Sequence, residues 1–132
     1  VGGASSSALQ RAVEFGDGWH PIRITVPWLR DVGIPALKAT ADQIGKQIPS
    51  VCPRLKLRIT DRPVPENNRL AGVGTIDQIH TDLEALRNLG VEYVLFDTYA
   101  DDPTETITHE WAWAMYMTVA EKIVNLSTQE LR

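Results

Sequence analysis

The stretch from Thr75 to Asp97 constrains the fold more tightly than any other part of the chain. Thr75 followed by Gln78 is a capping box, in which two side chains satisfy two backbone N–H groups at a helix start. Ile76, Ile79, Leu83 and Leu86 follow at steps of three, four and three, so they share one helical face. Gly90 stands where a helix ends in a left-handed residue. Val91-Glu92-Tyr93-Val94-Leu95-Phe96-Asp97 comes next, rich in β-branched and aromatic residues, and reads as a buried strand. Parallel strands need helical crossovers, so a helix feeding straight into a buried strand points to βα units around a parallel sheet.

The same grammar recurs upstream. Ala8, Leu9, Ala12, Val13 and Phe15 predict a short helix capped by one of the serines, followed by a brief strand at Gly16-Asp17-Gly18-Trp19. Leu37, Ala41, Ile44 and Ile48 predict a second helix, with Pro35 in its first turn and Pro49 and Pro53 closing it off. Leu55, Leu57 and Ile59 alternate with Lys56 and Arg58, a strand pattern that ends at Thr60-Asp61. Beyond Phe96, Asp102-Pro103-Thr104-Glu105 reads as another capped start. Ala112, Tyr116, Val119, Ile123 and Leu126 then form the stripe of a last helix. The count is about three βα units plus the stub of a fourth strand ending at Val1, where the sequence opens without Met as if entering mid-fold.

A length of 132 residues fits one domain, and 43% hydrophobic with 23% charged residues excludes a disordered chain. Nothing resembles a membrane span or a signal peptide, so neither a membrane partner nor secretion is expected. A net charge of −4 argues against a nucleic-acid partner bound through phosphate neutralisation. The charge is unevenly placed: net +3 from Arg54 to Arg69 and net −8 from Thr75 to Glu110. The basic block reads either as solvated surface or as an anion-facing loop near Arg58, Arg62 and Arg69. The single Cys52 has no partner for an internal disulfide, which fits a reducing, cytoplasmic setting.

In parallel βα folds, ligands bind at the C-terminal ends of strands, in the loops that lead to helices. Four such loops are Gly2 to Ser7, Trp19 to Trp28, Thr60 to Gly74 and Asp97 to Thr106. The first combines a glycine pair, serine hydroxyls and a helix start, a setting that favours phosphate. An ordinary tight turn with a serine cap explains the same residues. His20 at a strand end is a site candidate or a packed loop histidine. Asp97, Thr98, Tyr99 and Asp101 either line a ligand mouth or form a turn. His80 reads as surface, and Trp111, Trp113 and Met115 as packing. His109 and Glu110 lack a partner at zinc-ligand spacing, so no metal is expected. No nucleophile with a triad is visible.

Val1-Gly2-Gly3-Ala4-Ser5, Ala8-Leu9-Gln10-Arg11-Ala12 and Gly16-Asp17-Gly18-Trp19-His20-Pro21, taken in order, resemble the luciferase-like monooxygenase family. Leu70-Ala71-Gly72-Val73-Gly74-Thr75, Tyr93-Val94-Leu95-Phe96-Asp97-Thr98-Tyr99 and Asp102-Pro103 resemble its deazaflavin-dependent branch more closely. The resemblance implies residues 1–132 as a single partial domain, the C-terminal half (strands five to eight) of a TIM (β/α)8 barrel. It implies an oxidoreductase moving hydride between coenzyme F-420 or FMN and a small organic substrate. Gly2, Gly3, Ala4 and Ser5 would then contact the cofactor phosphate. His20, Arg58, Arg62, Asp97 and Tyr99 would shape the substrate end. The family's catalytic groups come largely from strands one to four, so no catalytic residue is named and this chain alone is expected to be inactive.

Such barrels run to about 250 residues. An open half-barrel has unpaired strand edges and an apolar inner face, so self-association is expected. The alternative from another class is a non-catalytic α/β half-barrel module that binds a phosphate-bearing ligand. A doubly wound flavodoxin-like domain fits the βα alternation but not the Gly-Asp-Gly-Trp segment.

Overall fold

The computed structural model describes residues 1–99 and 109–132. The expected capped start at Asp102-Pro103-Thr104-Glu105 lies outside them. The first helix, α1 (Ser6–Phe15), is capped by Ser5, whose side chain accepts from the Ala8 N–H. Ala8, Leu9, Ala12 and Val13 are buried as expected, but Phe15, the last residue of the helix, is 81% exposed. Strand β1 (Gly18–Trp19) follows.

The next helix begins earlier and stops sooner than its apolar spacing suggests. Thr25 caps α2 (Val26–Trp28), which continues through a π-helical turn, Leu29–Gly33, into α3 (Ile34–Ile44). Part of the expected Trp19–Trp28 loop is therefore helical. Gly45 adopts a left-handed conformation and takes the C-terminal carbonyls, so Ile48 falls outside the helix and is exposed. Helix α3 packs against α1, and Trp28 packs beside Trp19 with ring centroids 6.2 Å apart.

Short strands carry the sheet: β2 (Ser50–Val51), β3 (Arg54–Lys56), β4 (Arg58–Ile59), β5 (Val73–Gly74) and, after helix α4 (Ile76–Asn88), β6 (Leu95–Asp97). The single expected strand from Leu55 to Thr60 is thus split at Leu57. Its two parts pair in parallel with different partners, β3 with β6 and β4 with β5. Strand β1 pairs in parallel with β2, and Ile22 bridges to Arg54 in the same sense. Gly2 bridges in parallel to His20, with the His20 N–H on the Val1 carbonyl at 2.8 Å. Four parallel segments therefore lie side by side in chain order, around residues 1–2, 18–22, 50–57 and 92–97.

Alternation along the third segment separates two faces. Leu55 and Leu57 are buried towards the core with Ile79, Leu83 and Leu86 of α4, while Arg54 and Lys56 point the other way. Register partners in a ladder share a face, so Ile22 and Leu95 lie with Arg54, and Asp97 lies with Lys56. That face mixes cations, a carboxylate and partly exposed apolar side chains, rather than being uniformly apolar.

Helix α4 matches its sequence signals closely. Both halves of the capping box form, and the Gly90 and Val91 N–H groups close on the Arg87 and Leu86 carbonyls, a Schellman ending. The strand after it is shorter and more open than expected. Only Leu95–Asp97 is extended in a ladder; Tyr93 lies before it and is exposed, and Leu95 is exposed because it lies with Arg54 on the face turned away from the core.

The last helix, α5 (His109–Lys122), buries Met115 and Val119, with Ile123 just beyond it. Tyr116 and Leu126 of the expected stripe are exposed, as are Trp111 and Trp113, so neither tryptophan serves as core packing here. The chain ends in an antiparallel hairpin of β7 (Val124–Asn125) and β8 (Glu130–Leu131). Among the described residues, no helix is long and apolar enough to cross a membrane.

Candidate functional site

Because the four segments are parallel, the loops that leave their C-terminal ends gather along one edge. Two contacts tie these loops together. The Trp19 indole N–H donates to the Gly3 carbonyl at 2.7 Å, and the Ala71 N–H donates to the Ile24 carbonyl at 2.9 Å.

The Gly2–Ser5 loop is open to solvent at the head of α1. Gly3 has φ +98°, and a Cβ there would stand 3.0 Å from the Ala8 Cβ, so the turn requires glycine at this position. The hydroxyls of Ser5 and Ser7 lie 3.1 Å apart beside the first helical turn, where the Ala8 N–H is already taken by Ser5. Backbone N–H groups, two hydroxyls and the positive end of a helix dipole suit a phosphate or another oxyanion. His20, half-buried, sits on the segment adjoining this loop through its bridge to Gly2.

Asp97 and Tyr99 meet a second group of residues further along the same edge. The Asp97 carboxylate accepts from Arg54 Nη2 at 2.8 Å through one oxygen and from the Tyr99 N–H at 2.9 Å through the other. Its charge is thereby matched, and the turn that presents Tyr99 is fixed. Ile22, Arg23, Arg54, Lys56, Asp97 and Tyr99 surround a cleft of about 180 Å³. An adjoining cleft of about 430 Å³ shares Lys56 and adds Arg58 and the turn around Asn67-Asn68.

The remaining basic candidates separate from this group. Arg62 is exposed and lies outside both linings; its carbonyl accepts from the Thr60 hydroxyl at 2.7 Å. Arg69 is not an anion-facing residue. Its guanidinium forms two hydrogen bonds of 2.7 Å to Asp82, and both side chains are buried. It also reaches Glu66 at 3.0 Å and the Val73 carbonyl at 3.0 Å. The Asp82 bonds are the main reason that the Arg69 guanidinium holds its proton more tightly than usual, and Glu66 adds to the effect. Glu66 in turn accepts from the Gln78 side chain at 2.6 Å, which with Arg69 holds its carboxyl below the usual range.

Sequence reasoning missed Arg23, Arg54 and Lys56 as cleft residues, and Asp82 as the partner of Arg69. Arg23 gives no local signal. It adopts φ +52°, an unusual conformation for a side chain of its size, between the β1 segment and α2. Asp82 did give one, since it lies between Ile79 and Leu83 on the apolar side of α4. A charge placed there needs a partner.

A larger cleft of about 560 Å³ lies elsewhere, between α4, the segment before β6 and the terminal hairpin, and contains none of the expected site residues. Among the described residues, no group of three His, Cys, Asp or Glu side chains is placed to hold a metal ion.

No protein-family model matches the chain, and no curated protein matches it either. Among solved structures it is similar to an F420-dependent secondary alcohol dehydrogenase determined in complex with an F420-acetone adduct. The TM-score is 0.57 at 12% sequence identity, covering 72% of this chain and 41% of the dehydrogenase. The chain thus spans about two-fifths of that protein's length, and what the two share is the fold: mixed α/β with parallel strands.

Proposed function

We propose that the chain forms the phosphate-holding, substrate-shaping part of an oxidoreductase that uses coenzyme F-420 or FMN. In this reading its four parallel segments are strands five to eight of a TIM barrel. The observation that carries the proposal is the order of those segments, which brings the Gly2–Ser5 loop and the Asp97–Tyr99 turn to one edge. The fold shared with an F420-dependent dehydrogenase supports it, as does the ordered resemblance of the Gly-Gly, Gly-Asp-Gly-Trp and Leu70–Thr75 segments to the luciferase-like family.

The residues present fit the phosphate of either coenzyme. The Ser6 and Ser7 N–H groups at the head of α1 and the hydroxyls of Ser5 and Ser7 would hold it, while Trp19 fixes the loop through the Gly3 carbonyl. The bound coenzyme would supply hydride chemistry; this chain would bind, orient and exclude water. His20, Arg58, Asp97 and Tyr99 contribute to substrate selection from the loops at the same edge, and Arg62 stands further out. The unpaired side of β6 and the face carrying Ile22 and Leu95 would be covered in the assembled barrel, or by a second copy when this chain is alone.

The test is hydride transfer by the complete gene product, followed as the absorbance change of F-420 or FMN on addition of small alcohols or aldehydes. Substrate-dependent reduction or oxidation of the coenzyme is expected. Coenzyme binding with no turnover towards any substrate class would favour the non-catalytic binding module. Failure to bind either coenzyme would overturn the oxidoreductase reading.

A further inference from the structure

We propose that His80 is a pH-sensitive latch, which fastens the hairpin of β7 and β8 to α4 when its imidazole takes up a second proton. The proposal stands apart from the oxidoreductase reading, since it needs only the hairpin, the helix and one histidine.

The hairpin is held on α4 by few groups. Ile123 is fully buried at its base, and Val124 and Leu131 pack partly buried against the core. The Arg132 N–H donates to the Ile123 carbonyl at 2.8 Å. His80 Nε2 on α4 lies 2.8 Å from the Arg132 carbonyl oxygen, which ties the end of the hairpin to the helix. The hairpin also walls one side of the cleft of about 560 Å³, with Leu83 and Leu86 of α4, Val91, Val94 and Phe96 among the residues that complete the lining. How firmly it is fastened therefore sets how open that cleft is.

The chemistry lies in the two neighbours of the ring. A carbonyl oxygen can only accept, so the bond to Arg132 requires a hydrogen on Nε2. On the other side the Glu84 carboxylate, also an acceptor, stands 3.8 Å from Nδ1, within ion-pair reach. A neutral imidazole carries one N–H and cannot serve both acceptors. When Glu84 draws that hydrogen to Nδ1, Nε2 presents a lone pair to the Arg132 oxygen and the latch opens. The imidazolium carries a hydrogen on each nitrogen, serves both acceptors, and makes the Arg132 bond charge-assisted. Protonation thus favours the fastened hairpin, and docking tightens as pH falls through the range in which histidines change charge.

The other charges nearby are Asp77, Glu84 and Arg87 on α4, Glu92 before β6, and Glu130 and Arg132 on the hairpin. Asp82 of α4 is taken by Arg69 on the buried side. Strand β5 and helix α2 also pack on α4 and carry no charged residue. Carboxylates and guanidiniums keep their charge between about pH 5.5 and about pH 8, so in that interval the change comes from the histidine.

The test is amide solvent exchange in the isotopically labelled 132-residue protein, measured by NMR across that interval and corrected for the intrinsic pH dependence of exchange. Protection of the Arg132 amide and of the β7–β8 ladder should rise about threefold to fivefold from the alkaline to the acid end. Its midpoint should coincide with the titration of the His80 ring followed in the same samples.

His80→Gln keeps a donor but does not titrate, so its hairpin protection should be flat across the interval. Glu84→Gln replaces the competing acceptor with a group that can donate to Nδ1. Its protection at the alkaline end should rise towards the acid value, which a merely structural role for Glu84 would not produce. His109→Gln should retain the parent's pH dependence. Dispersed spectra of each variant show that it remains folded. Flat protection in the parent, or an unchanged pH dependence in His80→Gln, would overturn the inference. So would a Glu84→Gln protein that keeps the full difference between the two ends.

Discussion

Arg69 and Asp82 form a buried, two-pronged ion pair, with both hydrogen bonds 2.7 Å long and both side chains almost wholly out of solvent. The pair locks the Thr60–Gly74 loop to α4. Asp82 also accepts from the Gly72 N–H at 2.9 Å, and Arg69 donates to the Val73 carbonyl. One carboxylate therefore fixes the end of the loop that frames the second cleft. Removing either partner leaves a buried charge without its match. Arg69→Met and Asp82→Leu should each destabilise by about 3–5 kcal/mol. Replacing both together, as Arg69→Met with Asp82→Leu, should cost clearly less than the two singles summed. Urea denaturation of the four proteins measures this; additive losses would show that the pair does not act as a unit.

Gly72 and Gly90 both have positive φ, yet substitution should affect them very differently. At Gly90 a Cβ would meet nothing within 4 Å among the described residues, so Gly90→Ala is expected to carry only the left-handed backbone cost, about 1–2 kcal/mol. At Gly72 a Cβ would stand 2.5 Å from the Lys56 carbonyl oxygen, which is itself backbone. Gly72→Ala must push the loop off β3, and should be the more destabilising by a wide margin in thermal or urea unfolding. It should also perturb the amide signals around Lys56, which Gly90→Ala should leave in place.

Glu66 gives stability a dependence on acid pH. Hydrogen bonds from Gln78 and then from Arg69 hold its folded carboxyl below its ordinary value near 4.5. Between the two values the unfolded chain binds more protons, so stability rises with pH across that window. The Glu66 contribution is fully present above its ordinary value and is lost as pH falls through the lowered folded value. Glu66 is mostly exposed, so the effect is modest. Urea unfolding at a series of pH values should show Glu66→Gln less stable than the parent near neutrality, with the gap closing under acid.

Legibility in the sequence tracked how local each determinant is. Helix α4 was readable from end to end because its cap, apolar face and Gly90 ending lie within sixteen residues of one another. The helix before it was misread at both ends. The π-helical turn shifts the face after Leu29, and Gly45 stops the helix before Ile48, a stop the sequence signalled but the apolar spacing obscured. The run from Val91 to Asp97 has the composition of a buried strand, but burial depends on neighbours that no local pattern specifies. At the site, Asp97 and Tyr99 were visible from their position after a strand. Arg23 and Arg54 join them only through the parallel register that sets Ile22 beside Arg54 and Arg54 beside Leu95.

We propose that the Gly2–Ser5 loop at the head of α1 holds the phosphate of a flavin-type coenzyme. It is tested most directly by titrating the 132-residue protein with coenzyme F-420 and with FMN, beside a Ser5→Asp variant. Aspartate caps a helix as well as serine does, so α1 should keep its stability while the added charge repels phosphate. Saturable binding of one coenzyme is expected, displaced by inorganic phosphate and weakened at least about tenfold by Ser5→Asp. Binding that Ser5→Asp leaves unchanged, or no binding of either coenzyme, would contradict it.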